Sequence, residues 1–240
     1  MKTLLSLIAA APLAACGLAS GMSGEVVKPS GSGGTRGFDV ADFTKVALIG
    51  ADDVDVRQGA TFAVTATGDS ALLDRLEIRK DGATLKIGRK DGDWKWGGEH
   101  GAKITVTLPR LAGASVAGSG DMRVDRAEGG FSGSVAGSGD LRIAQLRGGS
   151  AELSIAGSGD IGVATGEASE ISANIAGSGD IDTVGVRAER GDVSIAGSGN
   201  VRGQFTQSAR ISMVGSGNVQ VTGGARCDVS KLGSGNAVCR

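Results

Sequence analysis

The chain has no tyrosine, and aromatic residues make up only 3% of its 240 positions. Any core must therefore be built from Val, Ile, Leu and Ala, which suits thin stacked β layers. There is one histidine, and no phosphate loop, metal-ligand cluster or nucleophile triad can be assembled from the sequence. Charge of one sign is also lacking: 25 Lys and Arg stand against 26 Asp and Glu, a net of −1. No basic stripe is available for nucleic acid or an anionic lipid surface. The longest apolar run, residues 4–15, is too short to cross a bilayer as a permanent helix. What the chain does have is glycine, 43 residues in all, well above the typical share of about 7%. No Gly-X-Y period accompanies it, so collagen is excluded.

The glycines are organised by one tetrapeptide, Gly-Ser-Gly-Asp/Asn. It starts at Gly118, Gly137, Gly157, Gly177, Gly197, Gly215 and Gly233, at intervals of 19, 20, 20, 20, 18 and 18 residues. Self-similarity at such a period marks a solenoid in which each repeat buries its apolar face only against its neighbours. Each unit reads as a short strand, a small-residue corner and a second short strand. The spacing predicts an all-β parallel β-helix with coils of about 18–20 residues. Its inward positions are Val116, Val135, Ile155, Ile175 and Ile195, then Met122, Leu141, Ile161, Ile181 and Val201. The motif glycines supply positive φ, and the Asp or Asn is expected to bond nearby backbone as in an Asx turn. Stacked Asp121, Asp140, Asp160 and Asp180 form the one candidate metal edge, for calcium. Asn replaces Asp at positions 200, 218 and 236, and Arg123 and Arg142 lie two places on, so bound metal is not favoured and no cofactor is expected.

The residues before the repeats divide into three parts. Lys2 and the apolar run 4–15 read as a secretory signal. Leu13-Ala14-Ala15-Cys16 resembles a bacterial lipobox, which implies cleavage before Cys16, acylation there, and, with Gly17 following, an outer-membrane destination. Residues 16–37 are rich in Gly and Ser and read as a flexible tether of roughly 25 Å. Residues 38–109 form a smaller β-rich capping region. Strict alternation in Asp53-Val54-Asp55-Val56 and in residues 61–67 predicts antiparallel strands with one buried face. Residues 72–76 suggest a single helical turn, Asp81-Gly82 a hairpin, and Pro109 the end of the region. The repeat β-helix then occupies residues 110–240. In an exported protein the remaining pair, Cys227 and Cys239, is expected to form a disulfide that staples the last coil.

One stretch does not repeat. Residues 90–101 hold both tryptophans, Trp94 and Trp96, and the only histidine, His100, among charges and glycines. Two readings stand side by side: an aromatic platform for a sugar ring or another surface, or a loop whose indoles cover the sheet edge.

Val46-Ala-Leu-Ile-Gly-Ala-Asp-Asp-Val-Asp-Val56, Leu85-Lys-Ile87, Ile104-Thr-Val-Thr-Leu-Pro109 and the Gly-Ser-Gly-Asp series together resemble the auto-transporter adhesin head GIN domain family. The resemblance spans about residues 40–240 and implies an exported two-part β protein, often on a lipid anchor, of no established activity. The chain departs from an autotransporter in having no membrane barrel after the repeats. The function expected is that of a cell-envelope lipoprotein with a non-catalytic binding or structural domain. Its partners would be the bilayer, through Cys16, and an envelope glycan or protein, but not nucleic acid. A polysaccharide-acting β-helix enzyme and a calcium-stabilised surface scaffold are the alternatives.

Overall fold

Alternation of small apolar and polar residues carries most of the described residues into strands. The computed structural model describes residues 21–90 and 101–240. Its elements begin with β1 (Glu25–Val26), β2 (Pro29–Ser30), β3 (Thr35–Phe38), β4 (Lys45–Gly50), β5 (Asp53–Gln58) and β6 (Ala63–Thr67). The helical turn α1 (Ser70–Arg75) leads to β7 (Leu76–Asp81), β8 (Thr84–Arg89) and β9 (Lys103–Leu108). The repeats supply β10 (Gly113–Gly118), β11 (Met122–Glu128), β12 (Phe131–Gly137), β13 (Leu141–Arg147) and β14 (Ser150–Gly157). Longer strands follow, β15 (Ile161–Gly177), β16 (Ile181–Gly197) and β17 (Asn200–Gly215), then β18 (Asn218–Thr222), β19 (Arg226–Leu232) and β20 (Asn236–Cys239).

The repeats form a parallel β-solenoid. Strands before the motif stack in register, so Val116, Val135, Ile155, Ile175 and Ile195 lie one above another. Strands after the motif stack Met122, Leu141, Ile161, Ile181 and Val201 in a second column. All ten of these side chains are at most 3% exposed, as their spacing predicted. The second ladder bends at Asp125 and Ala144 and continues as a third, so each coil has three faces around one apolar core. The few large residues are fitted by local subtraction. Phe205 is fully buried, and its ring occupies the space that side chains at Gly191 and Gly203 would need.

The region before Pro109 is more than a cap. β4 pairs in parallel with both β8 and β10, and β5 with both β9 and β11. Two further coils therefore extend the stack: β4–β5 lies beneath β10–β11, and β8–β9 lies beneath β4–β5. Antiparallel pairing, expected throughout, is confined to the outer end, where β7 pairs with β8, β1 with β7, and β6 with β9 and β3. Period-2 alternation reports one buried face and is equally satisfied by a parallel coil, which is why it misled.

The expected tether is also corrected in part. Residues 25–38 contribute β1, β2 and β3. Val27 packs on the core and donates its N–H to Ile78 O at 2.9 Å, Phe38 is 6% exposed, and Arg36 pairs with Asp74 at 2.7 Å. Their order comes from the sheet edges they cover rather than from their own composition. Short edge strands, one of them opening on Pro29, also blunt those edges against further pairing.

At the far end β19 pairs with β17 and β20 with β18. Cys227 and Cys239 are joined by a disulfide across these two strands, with Cα atoms 6.6 Å apart. The inward column Ile155, Ile175, Ile195, Met213 ends in Lys231, whose Nζ donates to Gly235 O at 3.1 Å.

Candidate functional site

The repeated corner is built by satisfying backbone groups that a bend would otherwise orphan. The first motif glycine sits at φ between 120° and 140° in every copy, a region in which an L side chain is strained. A Cβ on the second glycine would meet the carbonyl oxygen of the same position one coil earlier, as at Gly139 against Gly120. Close approach here lets Ser138 and Gly139 both donate their N–H groups to Gly118 O, at 2.9 and 3.0 Å.

The acidic position then bonds across coils, not within its own turn as an Asx turn would. Asp121 Oδ1 accepts from Asp140 N–H at 3.1 Å, Asp140 from Asp160 at 3.0 Å, and Asp160 from Asp180 at 2.9 Å. Asp180 Oδ1 takes both the backbone and side-chain N–H of Asn200, and Asn200 does the same for Asn218. The corner interrupts the regular ladder, so an N–H is left there for a neighbouring carboxylate to accept. Arg142 lies 2.8 Å from Asp140 and 3.8 Å from Asp160, offsetting their repulsion. Among the described residues, no group of three or more His, Cys, Asp or Glu side chains is arranged to hold a metal ion. The four aspartates are thus brought into one edge, with one oxygen of each already used by the backbone.

A divergent corner escaped the sequence reading. Gly50-Ala51-Asp52-Asp53 stacks in register beneath Gly118-Ser119-Gly120-Asp121. Asp52 occupies the second glycine position and is completely buried. Its carboxylate accepts from Arg89 Nη2 at 2.6 Å, Arg89 Nε at 3.0 Å and Ala102 N–H at 2.9 Å. This bidentate contact raises the pKa of the Arg89 guanidinium beyond its ordinary value. Arg89 and Ala102 flank residues 91–100, so Asp52 ties together both ends of the connection that carries Trp94, Trp96 and His100. Those three residues, like Cys16, lie outside the described residues. The alignment of Gly-Ala-Asp-Asp-Val-Asp-Val with Gly-Ser-Gly-Asp-Met-Arg-Val was the signal that could have revealed this copy.

Two shallow grooves mark the surface. One, of about 280 Å³, is floored by Ala47, Ser115 and Ser134 and walled by Lys45, Lys86 and Asp81. Lys86 and Ser23 both bond Asp81 and hold its carboxyl below the usual carboxylate range. The other, of about 360 Å³, is lined by Glu170, Arg190, Asp192, Arg210, Arg226 and Asp228. Acids and arginines there oppose one another on successive coils, Glu170 with Arg190 at 3.5 Å and Asp192 with Arg210 at 3.7 Å. Charge is balanced locally, which fixes the register of coils more than it invites an ionic ligand.

These features define a repeat-built β-solenoid whose corners are serial and whose N-terminal end is closed by antiparallel strands. The chain belongs to the family described as "Putative auto-transporter adhesin, head GIN domain", whose model matches residues 42–225. Similar solved structures include a "putative adhesin" of Bacteroides fragilis, 20% identical, covering 86% of this chain and 96% of its own, at a TM-score of 0.77. A second, from Parabacteroides distasonis, is 21% identical, covers 89% and 98%, and has a TM-score of 0.74. A "putative lipid binding protein" from the same species is 26% identical over 85% and 96%, at 0.65. No curated protein matches the chain. Among the described residues no helix is long and apolar enough to cross a membrane.

Proposed function

We propose that the protein is a non-catalytic binding module of the bacterial envelope, anchored in the outer membrane by acylated Cys16. Its folded part lies in the periplasm or at the cell surface and contacts an envelope glycan or protein. The observation that carries this reading is the equivalence of the corners. From Asp121 to Asp180 each carboxylate accepts the backbone N–H of its counterpart on the next coil, whereas catalysis needs a group in an environment of its own. Membership of an adhesin head family supports the same reading. Affinity in such a module comes from many similar weak contacts along a rod rather than from one deep pocket.

The test has two arms. Full-length protein should be retained by at least one envelope polysaccharide or surface protein preparation without releasing reducing ends; release of reducing ends would overturn the non-catalytic reading, and retention by none the binding one. Radiolabelled fatty acid should be incorporated by the native chain and lost in Cys16→Ala. Equal labelling of both would remove the anchor.

A further inference from the structure

The sequence suggests a tether of about twenty residues, but the chain is fastened to the fold long before residue 37. Ser23 Oγ donates to Asp81 Oδ2 at 2.8 Å, and Lys86 Nζ donates to Ser23 Oγ at 2.5 Å and to Asp81 at 2.8 Å. Lys86, itself only 7% exposed, also reaches Gly21 O at 3.5 Å. Met22 Sδ lies against Gly88, filling the space a side chain there would take. Arg79 donates to Gly24 O at 3.2 Å, and β1 then pairs antiparallel with β7. Every one of these partners belongs to β7, β8 or the turn between them, at the outermost coil.

From this we infer that the capped N-terminal end of the rod is its membrane-proximal end, held on a leash of four residues. The inference rests on the acylation of Cys16 proposed above. Only residues 17–20 separate Cys16 from Gly21, so the two are at most about 18 Å apart. The rod is longer than that. Nine strands stack in one parallel ladder from β8 through β4, β10, β12, β14, β15, β16 and β17 to β19. At about 4.8 Å per strand, β19 stands about 38 Å beyond β8. With a net charge of −1 the chain offers anionic headgroups no overall attraction that would pull the rod flat. The bilayer therefore faces the β7–β8 turn, and the disulfide-closed coil of β19 and β20 is presented outward to partners.

The experiment uses the acylated full chain in phosphatidylethanolamine–phosphatidylglycerol vesicles carrying a headgroup-linked fluorescence quencher. Single labels are placed at Ala83→Cys, in the β7–β8 turn, and at Gln220→Cys, on β18; both side chains are exposed. The Ala83 label should lose most of its emission and the Gln220 label should keep most of its own. Insertion of twelve Gly/Ser residues after Ser20 should restore emission at Ala83. Equal quenching of the two labels, or no response to the insertion, would overturn the orientation while leaving the anchor intact. Failure of the chain to float with vesicles would overturn the anchor and the orientation together.

Discussion

The coil β4–β5 and the coils of the repeat region carry out the same turn with different chemistry. In the repeats the second corner position is glycine, because the backbone of the preceding corner lies directly against it. In β4–β5 that position is Asp52, buried and clamped by Arg89. The difference lies in the neighbour, not in the turn. Beneath β4–β5 the strands β8 and β9 are not joined by the tetrapeptide, and the Asp52 carboxylate meets Arg89 and the Ala102 N–H there. Glycine is thus required where one tetrapeptide corner sits upon another, and where Arg89 lies against the position instead, a side chain can be held.

The sharpest way to break this comparison is to transplant the residue. Gly159→Asp places Asp52's side chain at a corner stacked on Gly139, where even a Cβ would meet Gly139 O and Val135. A buried carboxylate without a cationic partner adds to the overlap, so the loss should exceed about 4 kcal/mol. Urea unfolding of the variant measures it. A loss under 1 kcal/mol would show that corners are loosely stacked. The reverse change, Asp52→Ala, leaves Arg89 and the Ala102 N–H without their acceptor. It should cost about 3 kcal/mol, with cleavage by protease between residues 90 and 102 appearing well before global unfolding. Unaltered stability would mean that solvent replaces Asp52 freely.

How much of this could be read in advance depended on the range of the interaction. The columns Val116 to Ile195 and Met122 to Val201 were legible because a solenoid repeats its local environment at a fixed interval, so one alignment predicts every layer. The order of the coils was not legible. Nothing in the alternation of residues 45–58 or 84–108 says that β8–β9 stacks on the side of β4–β5 away from β10. Asp52 was missed because its burial depends on Arg89, 37 residues further on, and because it replaces the very glycine that identifies the motif. The ordering of residues 25–38 was missed for a similar reason: their composition lacks a core, and β6 and β7 supply one.

A smaller effect separates the two roles of the acidic corner residue. Asp160→Asn should change stability by less than about 0.5 kcal/mol, since Asn200 Oδ1 already serves Asn218 N–H in the same geometry. Asp160→Ala removes the acceptor used by Asp180 N–H at 2.9 Å and should cost about 1–2 kcal/mol. If both variants lost as much, charge would matter more than the acceptor, and the ladder of side-chain oxygens would not be what holds the corners together.

The smallest expected effect lies at the outermost coil and is set by pH. Lys86 and Ser23 lower the Asp81 pKa below its value in the unfolded chain. A depressed carboxylate contributes stability that is fully present above its unfolded pKa and is lost as pH falls through the folded one. The hold on residues 21–23 should therefore be constant at neutral pH and loosen only below about pH 4, near the ordinary carboxylate value. Protease cleavage before β1, followed as pH is lowered at fixed protease activity, reads this directly. Asp81→Asn should show the same added cleavage already at pH 7, whereas the stacked corners, whose acceptors are shared with Asn, should not respond to that substitution. Equal susceptibility of native and Asp81→Asn chains at pH 7 would mean that β1 pairing alone fastens the segment, and that the carboxylate at the turn adds nothing to it.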